Sequence, residues 1–332
     1  MIGRVKRIVF ASVLGMLAMV LVAVGYLYAI QGSMIYFPRS YAAAELAAAE
    51  ARFELLRYET SAGRQTAFLA APDGGRTAAG AGSNVAPGRV WLLFGGNGAR
   101  ALDWAGFIGD PSLSGDAFLL VDYPGYGANE GDPSPARIEE SIRAAVSAAA
   151  IHLGLTEAEL APRLAVLGHS LGAAAALCAA EAYDVEQIVL ISPFTSMRDM
   201  AALSFYRPLT LLLRHDYDNR ARLRRMLGRA DGQGDVPGSA SAGAPDDVAD
   251  GGSSGEQSPL RRDPSGLHVT IFHGEADSVI PVSMGRELAA MDPARITFHA
   301  LPGADHNDVV LLAGPLLYEA MSLARDASEQ AP

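Results

Sequence analysis

The stretch Leu164-Ala165-Val166-Leu167-Gly168-His169-Ser170-Leu171-Gly172-Ala173-Ala174-Ala175-Ala176 decides how the rest of the chain is read. Four apolar residues, suited to a buried strand, run straight into a Gly-x-Ser-x-Gly turn. An Ala-rich segment of helical character, Ala173–Glu181, runs straight out of it. A serine on such a turn needs small neighbours. Gly168 and Gly172 carry no Cβ to collide as the turn tightens and the helix packs on the sheet. The turn pushes the Ser170 hydroxyl into a cleft, where the start of the next helix favours developing negative charge. Composition alone could supply this pattern in a chain with 35 glycines. The strand–turn–helix setting makes Ser170 the candidate nucleophile.

Outward from the turn the same alternation repeats. Val90–Phe94, Ala117–Val121, Leu164–Leu167, Gln187–Ile191, His268–Phe272 and Ile296–Leu301 are short apolar runs, and helical segments lie between most of them. Continuous apolar strands alternating with helices predict an α/β fold with a mostly parallel sheet covered on both faces. One helix opens at Ser134-Pro135, an N-cap residue followed by Pro at the first helical position. The last runs from about Asn307 to Ala324. Ahead of the parallel strands, Tyr41–Ala51 reads as a short helix. Phe53–Thr60 and Gln65–Ala70 read as two antiparallel strands.

A serine is inert without a base, and a nucleophile of this kind is followed in the chain first by an acid and then by His. The acid candidate is Asp277, just after the strand that ends at Phe272-His273-Gly274; Glu275 is a rival two residues away. The base candidate is His306, in the loop Gly303-Ala304-Asp305-His306-Asn307-Asp308. His306 would take the Ser170 proton and return it to the leaving group, while Asp277 orients the imidazole and stabilises its cation. The developing oxyanion needs backbone N–H donors. One is assigned to Leu171, the residue after the nucleophile, and the other to Asn97 in the loop Gly95-Gly96-Asn97-Gly98-Ala99. No cofactor is called for. The histidines lack metal-ligand spacing, and Gly95–Gly98 lacks the Lys-Ser/Thr of a phosphate-binding loop.

Composition bounds the remainder. The chain has 332 residues, half of them apolar, enough for one large core. Its formal net charge of −11 argues against a nucleic-acid partner, because phosphates are held by Lys and Arg. The single cysteine, Cys178, excludes an intramolecular disulfide and reads as a small buried residue. Ile8–Ile30 carries no charge and is long enough to span a bilayer; Arg4, Lys6 and Arg7 precede it. Residues 1–32 are therefore expected to be a cytoplasmic basic stub and a transmembrane anchor, with residues 33–332 forming one extracytoplasmic domain on the cell membrane. A cleaved signal peptide is the rival, although Tyr26, Leu27, Tyr28 and Ile30 crowd the place where a small-residue cleavage site belongs. Ser33–Pro38 reads as an aromatic step at the membrane interface. Pro72–Gly88 reads as a flexible loop and Gly228–Gly266 as a disordered insertion. Arg220, Arg222, Arg224, Arg225 and Arg229 read as a solvated helix face, partly neutralised by that acidic insertion, with anionic headgroups as the other reading.

Taken together, the chain resembles the membrane-anchored α/β-hydrolases of the BEM46/ABHD-like serine hydrolase group. The resemblance runs from Ser33 to the C-terminal helix, outside the two Gly-rich stretches. It rests on Ile35-Tyr36-Phe37-Pro38, Asp122-Tyr123-Pro124-Gly125-Tyr126-Gly127, the Ser170 turn, Ser192-Pro193-Phe194-Thr195-Ser196, His273-Gly274-Glu275-Ala276-Asp277 and His306-Asn307-Asp308. It implies the α/β-hydrolase fold behind one transmembrane helix, and a Ser170–His306–Asp277 triad. Gly95 stands where such enzymes usually carry His, which affects the packing of the oxyanion loop.

Three activities compete. The first is an esterase or thioesterase acting on acyl or lipid-like substrates, with apolar Met200–Leu213 either lining the acyl site, facing the bilayer or packing in the core. The second is a peptidase or amidase using the same triad. The third is a non-catalytic binding module, against which all three triad positions are filled. Asp-dependent dehalogenase and epoxide-hydrolase chemistry is disfavoured by serine at position 170. The expected partners are a small acyl substrate and the membrane, with no protein partner evident.

Overall fold

The computed structural model describes residues 2–70, 87–108, 113, 115–231 and 266–329. Most of the Pro72–Gly88 loop and of the Gly228–Gly266 insertion lies outside the described residues.

Eight strands form one sheet: β1 (Glu54–Thr60), β2 (Gly63–Ala70), β3 (Val90–Phe94), β4 (Ala117–Val121), β5 (Leu164–His169), β6 (Gln187–Ile191), β7 (His268–Gly274) and β8 (Ile296–Leu301). Their order across the sheet is β1-β2-β4-β3-β5-β6-β7-β8. β1 and β2 form an antiparallel hairpin, β2 runs antiparallel to β4, and every later pair is parallel. All residues of β3, β4 and β6 are buried. Helices cover both faces there, so the sequence shows unbroken apolar runs and no alternation.

Alternate residues of the central strands enter two cores. Val90, Leu92 and Phe94 join Val166, Ile188 and Ile271 beneath the helices Pro135–His152, Leu171–Tyr183 and Asn219–Ala230. Trp91 and Leu93 join Leu167 and Phe272 on the opposite face, against Ala43–Arg52 and Gly314–Glu329. The helix that follows Ser170 is buried from Leu171 through Ala180, which its alanines permit by allowing close approach to the sheet. Cys178 lies in this helix, and burial pushes its thiol up to about 11, as befits a packing residue.

Strand β3 lies between β4 and β5, so the connection from β3 to β4 runs one way across the sheet and the next, from β4 to β5, runs back the other way. In open α/β sheets the crevice at such a reversal, beyond the carboxyl ends of the strands, is where ligands bind. The register brings Phe94 opposite Gly168 and Gly274 opposite Leu301. The loops after β3 and β5 therefore start side by side, and so do those after β7 and β8.

Three local expectations change. The last helix is two, Val309–Leu312 and Gly314–Glu329. Pro315 lacks an N–H and disfavours helical backbone at Gly314, so the second helix starts afresh there. The N-terminal helix runs past the expected anchor bound at residue 32, from Ile2 to Ile35. The aromatic step after it is not wholly exposed: Tyr36 is buried in the domain, its hydroxyl 2.9 Å from that of Tyr217. The acidic insertion expected to neutralise part of the arginine-rich helix lies outside the described residues, but folded neighbours pair with several of its arginines. Arg222 and Arg225 converge on Glu181, and Arg220 bridges Asp199 and Glu287.

Candidate active site

Ser170 sits between the last residue of β5 and the first of the helix Leu171–Tyr183, with φ 57° and ψ −118°. That conformation costs a non-glycine residue about 1–3 kcal/mol and persists only where its surroundings enforce it. Here they do. The Ser170 N–H donates to Ile191 O at 2.9 Å, tying the turn to β6. A Cβ at Gly168 would run into the Gly172 carbonyl, and one at Gly172 into the Phe94 carbonyl. Both sequence-predicted glycines are therefore steric requirements of the turn. Leu171 opens the helix, and its N–H has no carbonyl a turn earlier to receive it.

Asp277 and His306 come together at the ends of β7 and β8. The His306 Nδ1–H donates to Asp277 Oδ2 at 2.8 Å. Asp277 Oδ1 accepts the N–H groups of Val279 and Ile280 at 2.9 and 2.7 Å. Buried His273 donates from Nε2 to Ile280 O at 2.9 Å, with Asp277 Oδ2 at 3.4 Å. Burial alone would raise the carboxyl, but the donors from His273, His306 and Ile280 overcome it and hold Asp277 well below the usual carboxylate range. The rival Glu275 points elsewhere and pairs with Arg286 at 2.9 Å. The His306 backbone is fixed in turn: its N–H donates to Asp305 Oδ1, and its carbonyl accepts His169 Nε2–H at 3.1 Å.

Ser170, Leu171, Asn97 and His306 all line one cavity of about 420 Å³. No hydrogen bond joins the Ser170 hydroxyl to His306 among the described residues; catalytic hydrogen bonds are often long until substrate tightens them. The Asn97 carbonyl is held by the Tyr126 hydroxyl at 2.7 Å and the Phe37 N–H at 2.9 Å. Gly95, the departure noted in the oxyanion loop, has Ala99 Cβ against the place of its missing side chain, and its carbonyl accepts the Tyr123 hydroxyl at 2.6 Å.

The sheet order agrees with the comparisons. A model of the alpha/beta hydrolase family matches residues 80–319. The chain belongs to the alpha/beta hydrolase family. An alpha-beta hydrolase from Vibrio vulnificus superposes with a TM-score of 0.55 at 15% identity, over 84% of either chain. An esterase from Pyrococcus furiosus superposes with a TM-score of 0.52 at 12% identity, over 86% of this chain and 96% of its own. At these identities the likeness is one of fold. An uncharacterized protein from Mycobacterium tuberculosis is 29% identical over 240 residues, covering 68% of this chain and 69% of its own.

Two parts of this hydrolase escaped the reading of its sequence. The loop after β4 is the brace of the loop after β3. Tyr123 and Tyr126 hold it by two carbonyls, and buried Asp122 accepts the Ala101 N–H at 2.7 Å and the Tyr41 hydroxyl at 2.7 Å. The quoted Asp-Tyr-Pro-Gly-Tyr-Gly motif was the available signal, but nothing in its composition says which loop it grips. The second part is the wall of the cavity. Val24, Leu27, Gln31 and Ile35 of the N-terminal helix line it, facing Met200 and Leu209.

Proposed function

We propose that this hydrolase cleaves carboxylic ester or thioester bonds of acyl, lipid-like substrates, and that Ser170 is its nucleophile. One observation carries the reading: a serine held in a strained turn and a histidine hydrogen-bonded to a buried carboxylate open onto the same largely apolar cavity. In this scheme Ser170 Oγ attacks the acyl carbonyl carbon as His306 Nε2 takes its proton. The Leu171 and Asn97 N–H groups receive the oxyanion. The tetrahedral species expels the alcohol or thiol, protonated by His306, and leaves an acyl-Ser170 ester. Water, deprotonated by His306, then releases the carboxylic acid. Asp277 keeps the Nδ1 proton in place and stabilises the imidazolium throughout. Each oxyanion donor of this kind is typically worth about 2.7–4 kcal/mol.

The apolar lining favours an acyl group over a peptide and is what makes ester chemistry the preferred reading. The helix Ile2–Ile35, whose central window has hydropathy 2.6, serves here as an uncleaved membrane anchor. Arg4, Lys6 and Arg7 keep its start cytoplasmic and leave the catalytic domain outside, as in the BEM46/ABHD-like group. A fluorophosphonate should label the purified wild-type chain and p-nitrophenyl acetate should be turned over, while Ser170→Ala should do neither. Folded wild-type protein that neither labels nor turns over would sink the proposal. Faster cleavage of aminoacyl amides than of acyl esters would replace it with the peptidase reading.

A further inference from the structure

Catalysis by Ser170, His306 and Asp277 makes no use of a membrane helix, yet one wall of their cavity is made by it. Val24, Leu27, Tyr28, Gln31, Met34 and Ile35 line the space over Ser170. Their spacing of three and four residues puts them on one face of the helix. This face is fastened to the segment 197–213 that roofs the cavity. The Gln31 side-chain amide donates to Leu212 O at 2.9 Å, and its oxygen accepts the Arg214 N–H at 2.7 Å. The Arg214 guanidinium lies over the Tyr28 ring, 5.0 Å from its centroid. The earlier part of the helix has no such partners; Val9, Phe10 and Met19 are exposed.

Depth follows from counting. Arg7 is the last charge before the apolar run. About 20 residues, rising about 1.5 Å each, cross the roughly 30 Å hydrocarbon core. A span that starts at Ile8 therefore ends near Leu27. Val24 and Leu27 then stand in the outer edge of the hydrocarbon, and Gln31 and Ile35 among the headgroups. The roof segment repeats this layering. Leu203, Tyr206 and Leu211 are 57%, 75% and 72% exposed, the apolar and aromatic surface expected at a bilayer face. Exposed Arg207 and Arg214 stand with them, where phosphate groups lie.

We infer that the cavity takes the acyl chain of a lipid ester directly from the outer leaflet, between the anchor helix and the segment 197–213. The anchor is then a wall of the acyl site as well as a tether. This rests on the proposed ester hydrolysis at Ser170 and on the N-terminal helix remaining in the membrane. The lipid ester C–O bond breaks, water supplies the hydroxyl of the released fatty acid, and its remaining proton goes to the alcohol.

The test uses the full chain reconstituted in dioleoylphosphatidylcholine vesicles. Radiolabelled oleoyl chains are presented in turn on phosphatidylcholine, phosphatidylglycerol and diacylglycerol, with p-nitrophenyl acetate as the water-soluble ester. Wild type should release labelled oleate from at least one lipid. Leu27→Trp should lower the ratio of oleate release to acetate turnover by about tenfold, because it fills the wall and spares the reacting atoms. Gln31→Ala, which only unfastens the helix from Leu212 and Arg214, should move the ratio the same way by less, and covers the case in which Leu27→Trp fails to fold. Val9→Trp, on the exposed part of the helix, should leave the ratio unchanged. Acetate turnover without oleate release from any lipid would overturn the inference and leave the proposed function standing. An unchanged ratio in both Leu27→Trp and Gln31→Ala would do the same. Absence of acetate turnover and of fluorophosphonate labelling in wild type would remove the proposed function itself.

Discussion

The two sides of the cavity over Ser170 are built differently. On the side proposed to be catalytic, Ser170, Leu171 and His306 stand on backbone that has little freedom. Gly168 and Gly172 have carbonyl oxygens where a side chain would begin, and His306 is held through Asp277, Asp305 and His169. On the opposite side, the helix end Val24–Ile35 and the segment 197–213 meet through apolar contact and the few polar links of Gln31 and Arg214. The first arrangement suits chemistry, where a misplacement of about 1 Å can cost on the order of 10²-fold. The second suits recognition of apolar chains, which reward area more than angle. A family fold thus supplies one side of this site, and residues largely outside the strands and their turns supply the other.

If this division is right, damage to the catalytic side should be large and independent of acyl chain length. The largest effect is expected for Asp277→Asn, which leaves the shape intact but presents the wrong hydrogen-bonding partner to His306. Turnover of p-nitrophenyl butyrate should fall by about 10⁴-fold, and thermal stability should also fall, because the donors around this buried position lose their charged acceptor. A fall of less than about tenfold would mean that Asp277 does not orient the base.

Next comes Gly172→Ala. Its Cβ must displace the Phe94 carbonyl at the junction of β3 and the nucleophile helix, so unfolding in urea should show a loss of about 3 kcal/mol or failure to fold. Unchanged stability would show that the turn is looser than its contacts imply.

His169 tests the same side through pH. Burial, helped by the nearby His306, holds its ring down at about 4. The unfolded ring titrates near about 6.5, so the unfolded chain takes up the proton first as pH falls. Stability from His169 is complete above about pH 6.5 and is lost as pH falls towards 4, by about 3 kcal/mol. Asp122, pushed up to about 6 by burial, acts with the opposite sign over much of this range, because its folded form takes the proton first. The wild-type profile alone therefore hides both groups. The stability difference between wild type and His169→Asn, measured at pH 7 and pH 4, isolates the histidine and should shift by about 3 kcal/mol in favour of the variant at pH 4. A difference that does not vary with pH would place the His169 ring in contact with water.

The smallest effect belongs to the recognition side. Leu209 lines the cavity from the roof segment and is only partly buried. Leu209→Ala should cost less than about 1 kcal/mol of stability. It should lower kcat/KM for a long acyl ester about tenfold relative to butyrate. An equal loss for both chain lengths would erase the distinction between the two sides.

How far the sequence could be read follows from the same distinction. Strands β3, β4 and β6 were legible to the residue, because burial on both faces leaves continuous apolar runs with sharp ends. The Ser170 turn was legible because its steric demands fall on residues two positions away, Gly168 and Gly172. Local chemistry set these features: apolar period, missing side chains, and the order of Ser170, Asp277 and His306 along the chain. Tertiary structure decided what depends on distance. It separated Asp277 from Glu275 by turning one toward His306 and the other toward Arg286. It gave Tyr123 and Tyr126 their grip on the loop after β3. It also carried the N-terminal helix past its apolar run to Ile35 and laid its last turns along the cavity. Leu27 reads as one more apolar residue in a membrane span, since periodicity reports which face of a helix is buried but not against what.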